Sequence, residues 1–505
     1  MIRSAAMYKY LFLVVTLLSQ LCVAQDLESD LEQVATDYQL MGMSVWVSVQ
    51  GTEEEVHVGL RDFDRDLPVN ELTQYRIASI SKAISALGLL KLYDQGAFEL
   101  DDDISNYLGY TLRNPNHPNT PITFRMVLSH QSGLQDGTGY ANFLNATYSQ
   151  SPIPNINELL LAGGSYFTAN MWRTETPGSY FVYSNINFGL IGTLIEAISQ
   201  TRFDIFMKTE VLEPLNITGS YNIQDLTDIN NVSVLYRNVG GIWTPQNDNY
   251  QGTMPTPPDL TNYDIGTNGA YFAPQGGLRA SASDLGLFLN YLNSDGTGST
   301  LAISEQTLLE MKAIAFDYNG SNGDNYGGLF NRWGLGLHHA NVNSGDQICN
   351  LNTYDTFIGH PGEAYGLISD AYVSEAENVS FSLLINGSFP GYDIGNNSSY
   401  YTVEEAIFEV LCEYFGNTLS TAEFTSEEIK IATNPIHDIL QITLSTPTDV
   451  ERYVIYNIQG RVIISENDVQ TNNLSIEAST WNTGVYFIKL TTSKGTLVKK
   501  LIKHP

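Results

Sequence analysis

The chain has 505 residues and a formal charge of −31, from 24 basic against 55 acidic side chains. That length accommodates about two to four domains and a large core, and the charge excludes nucleic acid and anionic lipid as natural partners, since both are negative. Residues 426–505 hold eight acids and eight bases; setting these and the two bases of the first 24 residues aside leaves 14 bases against 47 acids in residues 25–425. A boundary near residue 425 follows, and the acidity before it reads as a solubility feature.

At the start, Arg3 and Lys9 precede an apolar run from Leu11 to Val23 that closes on Cys22-Val23-Ala24, with no acid among the first 24 residues. This is the layout of a secretory signal peptide over residues 1–24, with Met7 an alternative start. A membrane-spanning helix needs roughly twenty apolar residues, more than this run or any later one supplies, so no transmembrane segment is expected. Loss of the leader removes Cys22. Cys349 and Cys412 remain, free to pair in an oxidising compartment but too few for a disulfide scaffold.

Next, periodicity predicts a helix over 26–38, a hairpin from alternating stretches at 43–49 and 56–60, and a helix opening at Ser79. Residues 122–128 predict a short helix capped at Thr123, residues 135–180 are loop-rich, and 188–199 predict a buried helix. A Gly/Pro/Asn/Tyr-rich passage leads to Pro274; helices are expected at 283–292 and 305–314, strands at 326–338, 356–368 and 379–385, and a last helix at 403–414. Strands at both ends of a helical middle predict an α/β unit with an inserted helical domain.

Within that frame, Arg76-Ile-Ala-Ser-Ile-Ser-Lys82 sets Ser79 and Lys82 three residues apart at the head of the apolar run AISALGLLKL. Positions i and i+3 share a helix face, so the amine reaches the hydroxyl at a helix end that favours negative charge, and a weak nucleophile becomes usable. The bland alternative is a capping serine beside a solvated lysine, and about one such match arises by chance in a chain this long. Tyr183-Ser184-Asn185 follows the Pro177-Gly178 turn, placing a phenol and an amide on one side of an extended strand; Tyr140, Tyr236 and Tyr291 each head the same spacing. His360-Pro361-Gly362 lies between TFIG and YGLI, with His57-x-Gly59 its equal locally.

In chain order, Ser79-x-x-Lys82, Tyr183-x-Asn185 and His360-x-Gly362 resemble the three motifs of the penicillin-recognising serine hydrolases: class C β-lactamases, serine D,D-carboxypeptidases, D-aminopeptidases and related esterases. ITFRMVLSHQSGL, PGSYFVYSN, VLEPLNITGSYN, PQGGLRASASDLGLFLNYL and FIGHPGEAYG extend the resemblance over roughly residues 30–415. It implies a β-lactamase/transpeptidase-like fold of α/β class, a mixed α/β sandwich plus an all-helical domain with the active site between them. It further implies Ser79 as acylated nucleophile, Lys82 as proton acceptor, Tyr183 as proton relay, and Asn185 holding Lys82 and the substrate. His360 would bridge to Tyr183 or offer partial positive charge to an anionic substrate. Gly362 would let substrate lie close to the strand, and the backbone N–H groups of Ser79 and Glu363 would form an oxyanion hole. No metal or cofactor is required.

Two departures narrow this. Pro361 stands where the family often has a Ser or Thr that helps bind a substrate carboxylate, and Glu363 adds negative charge beside the site. Glu213-Pro214-Leu215-Asn216 resembles the deacylating loop of class A β-lactamases but is one residue short, and no catalytic role is assigned to it. Arg76, His130, Asp284 and His338-His339 are read as structural.

The neutral tail alternates apolar and polar residues between Asn, Gly and Pro turns, as a small antiparallel β-sandwich would. Asn434-Pro435, Gly484-Val485-Tyr486 and Lys499-Lys500-Leu501-Ile502-Lys503 resemble the C-terminal sorting domain of the type IX secretion system. The expected organisation is a signal peptide (1–24), a serine hydrolase domain (25–420), a linker (421–427) and a sorting domain (428–505). The expected protein is secreted or surface-attached after export through periplasm and outer membrane, and acts on a small peptide, amide or ester. The alternatives are a β-lactamase or D,D-carboxypeptidase, or a binding protein of the same fold without turnover.

Overall fold

A computed structural model of the chain describes residues 27–294, 296–421, 429–431, 435–444, 450–457, 461–492 and 495–504; the expected signal peptide and residues 422–427 of the expected linker lie outside these. Two units separate, residues 1–414 and 415–505.

In the first unit, helix α1 (Leu27–Asp37) buries Leu27, Leu31 and Ala35, four residues apart on one face. The expected hairpin follows as β1 (Gly42–Val49) and β2 (Thr52–Asp62), then the short β3 (Leu67–Pro68). Helix α2 (Ile80–Asp94) is buried from Ile80 through Leu92, so it is apolar on all sides, as its position inside the main core demands. Helix α3 (Phe124–Leu128) is capped by the Thr123 side chain, which accepts from the Met126 N–H. Helices α4 (Thr138–Ser149), α5 (Asn185–Ser199), α6 (Ala282–Asn293) and α7 (Glu305–Lys312) complete the helical middle. Ser281 and Asp284 form a capping box on α6.

The sheet then closes with β4 (Phe316–Asp317), β5 (Arg332–Trp333), β6 (His338–Ala340), β7 (Phe357–Ala364), β8 (Leu367–Ser374) and β9 (Val379–Ile385). Its nine strands run β3-β2-β1-β9-β8-β7-β6-β5-β4, antiparallel at each described pairing. The N-terminal hairpin thus docks on β9 from the far end of the domain, and every residue of β1, β8 and β9 is buried. Helix α8 (Thr402–Thr421) follows, and a Cys349–Cys412 disulfide ties it to the segment before β7.

Four expectations are corrected. The strand expected at 356–368 is two, because Tyr365 and Gly366 take φ of 57° and 95° and reverse the chain in a two-residue turn. The stretch 326–338 is a 3₁₀ turn, the two-residue β5 and the start of β6, broken where Gly327, Gly328 and Gly336 adopt positive φ. Helix α4 stands inside the passage read as loop. Asn185 opens a helix and does not lie on a strand with Tyr183: Ser184 is the last extended residue, at φ −147°.

In the second unit, β10 (Ile429–Ile431), β11 (Ile439–Leu444), β12 (Val450–Asn457), β13 (Val462–Thr471), β14 (Asn473–Glu477), β15 (Gly484–Thr492) and β16 (Gly495–Lys503) form two sheets, ordered β10-β11-β14 and β13-β12-β15-β16. Strict alternation in β11 and β14 sends Leu440, Ile442, Leu474 and Ile476 into a core shared with Ile455, Ile488 and Leu490 of the other sheet.

Candidate active site

Residues Tyr75–Arg76 pair with Arg279–Ala280, and Ala78, at φ 47°, turns the chain sharply into α2. Ser79 is the N-cap of that helix but makes no capping bond with its side chain. Its hydroxyl instead accepts from Lys82 Nζ at 2.8 Å, and the same amine donates to the Gln275 carbonyl at 2.8 Å. Both acceptors are neutral. Lys82 is wholly buried, and burial pushes its pKa down to about 7 against the opposing pull of Asp136. Near neutral pH about half of this amine is therefore unprotonated.

Tyr183 completes the group. Its ring lies 4.9 Å from Lys82 Nζ, and burial, against the opposing pull of the Ser79 hydroxyl, raises its pKa far above the usual tyrosine value, so it keeps its proton. Phe330 stacks on it at 5.0 Å and His130 lies 4.6 Å away. His130 itself is 1% exposed and its Nδ1 accepts the Ser184 N–H, a packing role consistent with its structural reading.

Asn185 is turned to an acid that the sequence did not single out. Its side-chain amide donates to Asp136 Oδ2 at 2.7 Å, and Asp136 also accepts the backbone N–H of Asn185 and of Ile186 and the Ser184 hydroxyl. Asp136 thus satisfies the free end of α5 from another segment, where the helix dipole favours an anion. The expected Asn185–Lys82 hydrogen bond is replaced by this one, although Asn185 still lines the cavities beside Ser79.

Strand β7 supplies the opposite wall. Its partner β6 pairs only with Phe357–Gly359, so the edge beyond is open. The register about the Tyr365-Gly366 turn pairs Ala364 with Leu367 and Glu363 with Ile368. Residues flanking a two-residue turn exchange hydrogen bonds, and the next pair does not. The Glu363 N–H and C=O therefore point away from β8, into the open edge. A side chain at Gly362 would meet the Ile77 carbonyl at 2.8 Å and the Ser79 nitrogen at 3.2 Å. Gly362 thus admits the Ser79 turn against β7, and it also lines the cavity beside Ser79.

His360 corrects the expectation most. It is 1% exposed, its Nδ1–H donates to the Pro361 carbonyl at 2.6 Å, and it lines neither cavity beside Ser79. Burial, and Lys82 next, hold its pKa well below the ordinary histidine value. A neutral imidazole packed 5.2 Å from Trp333 and 6.0 Å from Tyr183 supports the Tyr183 ring and offers no positive charge. The other residues read as structural have structural partners: Arg76 pairs with Asp248, Asp284 caps α6, and His338 Nδ1 bonds the Tyr372 hydroxyl.

Ser79, Asn185 and Glu363 separate two cavities. One, of about 370 Å³, is walled by Tyr183, Tyr326, Phe330 and Tyr401 with Glu363 and Glu404; the other, of about 340 Å³, holds Arg76, Arg237, Tyr140 and Tyr148. Sequence reasoning missed Asp136, Gln275 and these aromatic walls. Only Gln275 carried a signal, within the PQGG stretch; the rest come together through the fold.

A mixed sheet-and-helix unit with a Ser-x-x-Lys pair at a buried helix end defines a β-lactamase/transpeptidase-like fold. A family model described as Beta-lactamase matches residues 25–400, and the chain belongs to that family. A second, the secretion system C-terminal sorting domain, matches residues 430–504 and marks a secreted or cell-surface protein. Protein flp of Staphylococcus aureus (strain MRSA252) is 26% identical over 160 residues, 32% of this chain and 30% of the relative, so the match spans about a third of that protein's length. Among solved structures, D-amino acid amidase from Ochrobactrum anthropi SV3 superposes with a TM-score of 0.54 at 19% identity, over 78% of this chain and 98% of that one. EstCE1, a hydrolase with promiscuous acyltransferase activity, gives 0.52 at 18% identity, over 76% of this chain and 98% of that one. At these identities both share the fold. No described helix is long and apolar enough to cross a membrane.

Proposed function

We propose that the protein is a secreted serine hydrolase that cleaves an amide or ester bond through an acyl-enzyme on Ser79. The observation that carries this is the 2.8 Å contact between the Ser79 hydroxyl and a buried Lys82 whose pKa is pushed down to about 7. Unprotonated Lys82 takes the hydroxyl proton as Ser79 Oγ attacks the carbonyl carbon. The oxyanion forms between the N–H groups of Ser79 and Glu363, each donor typically worth ~3 kcal/mol. Tyr183, kept protonated, gives its proton to the departing nitrogen or oxygen and is reprotonated from Lys82. Water then enters by the same route in reverse and releases the acid. Asn185, fixed by Asp136, orients the substrate.

The amidase and hydrolase neighbours support an amide or ester, and so do Pro361 and Glu363, which remove a carboxylate-binding hydroxyl and add a repelling charge. The test is labelling by a fluorophosphonate, read by intact mass. Wild type is expected to gain one adduct and Ser79→Ala none. A wild-type protein left unmodified by this probe and by a fluorescent penicillin, and inert towards p-nitrophenyl esters and D-amino-acid amides, would overturn the proposal.

A further inference from the structure

We infer that the cavity on the Tyr183 side binds an organic ammonium group carried by the leaving part of the substrate, with Glu363 as its charge partner. This rests on the acyl-enzyme reading, which decides the sides. Tyr183, the proton donor to the leaving group, lines this cavity and not the one that holds Arg76 and Arg237.

The walls fit such a cation. Tyr183, Tyr326, Phe330 and Tyr401 surround the space, and aromatic faces attract ammonium groups through their quadrupoles. Glu363 is exposed and its carboxylate accepts from the Tyr401 hydroxyl, which stands on Tyr392 in a stack 5.2 Å apart. The carboxylate is thus aimed, and among the described residues no cation pairs with it. Glu404 lies deeper, where it accepts the Tyr401 N–H at 2.5 Å; burial, with Asp370 beside it, raises its pKa well above the usual carboxylate range. Glu404 is buried and Glu363 exposed, so the carboxylate that faces the open cavity is that of Glu363, one residue along the strand from Gly362 and on the same peptide unit that offers its N–H to the oxyanion.

The second cavity has the opposite character. Asp248 engages Arg76 there, leaving Arg237, whose guanidinium lies 5.2 Å from the Tyr392 ring. Substrate charge is read in a fixed direction across Ser79: a neutral or anionic acyl part on the Arg237 side, a cationic leaving part on the Glu363 side. A leaving group that ends in a carboxylate would face Glu363 and be repelled.

The experiment uses butyrate esters with one acyl group and three alcohols: choline, its neutral isostere 3,3-dimethylbutanol, and 4-hydroxybutanoate. kcat/KM reports acylation whichever later step is slow. The full chain is expected to prefer the choline ester over the isostere by about tenfold; Glu363→Gln, whose backbone N–H is intact, should bring that ratio near one, and Glu363→Lys should favour the carboxylate ester. An unchanged ratio in Glu363→Gln would overturn the inference while leaving the hydrolase reading intact. Calorimetric titration of Ser79→Ala with choline and with the isostere asks the same without turnover: binding of choline no tighter than of the isostere, or undiminished by adding Glu363→Gln, overturns it even if the fluorophosphonate result has removed the hydrolase reading.

Discussion

In the proposed mechanism Lys82 must lose its proton before it can take one from Ser79. Its pKa is lowered to about 7 by burial, so the amine is charged below that pH and free above it. The rate should accordingly fall as pH drops through about 7 and level off on the alkaline side, as read from kcat/KM of a p-nitrophenyl ester between pH 5 and 9. Lys82→Arg, which cannot give up its proton, should lose about 10²–10⁴-fold in kcat/KM at every pH; a profile flat from pH 5 to 9 would remove Lys82 from the role of base. At this scale the sequence is legible where chemistry is local. Ser79 and Lys82 meet because i and i+3 share a face and the apolar run buries the amine. Asn185 and His360 are less legible, since what they do depends on partners distant in sequence: Asp136 claims the amide, and burial, with Lys82 next, holds the imidazole pKa well below its ordinary value.

Elements were legible where periodicity persisted over two turns or more, as in α2, α5 and α6, and least where two residues decide. Tyr365 and Gly366 cut an apparent strand into β7 and β8, and that cut both exposes the Glu363 N–H and sets the register of the open edge. Helix α8 continued beyond its predicted end at 414, to Thr421. Its anchoring is covalent: the Cys349–Cys412 bridge joins it to the chain before β7 across a sequence separation of 63 residues. Closing a loop of that size restricts the unfolded chain by about 4 kcal/mol. Cys349→Ser/Cys412→Ser should therefore lower the Tm of the first unit by several degrees, while fluorophosphonate labelling of Ser79 below the new Tm persists, because neither cysteine lines the cavities beside Ser79. A double variant with an unchanged Tm would show that the folded chain does not depend on the bridge.

At the scale of the whole molecule, the charge boundary near 425 coincides with a change of core. The first unit folds around α2, α5 and the sheet residues packed on them, and the tail around Leu440, Ile442, Ile455 and Ile488. Since each has its own apolar centre, neither needs the other to exclude water from its interior. A chain ending after Thr421 should keep the Ser79–Lys82 pair, both cavities and the disulfide. It is expected to melt in one transition at the temperature of the first unit in the full chain, where calorimetry should resolve a second transition for the tail. Its fluorophosphonate labelling rate should stay within about twofold of the full chain, allowing for the ~0.4 kcal/mol scatter of independent sites. What the truncation should abolish is delivery: in a host that has the type IX machinery, protein lacking residues 430–504 should remain cell-associated and active in lysate. Release of the truncated chain in wild-type amounts would separate export from the tail, and loss of labelling in a folded truncation would mean that the tail serves the site as well as the address.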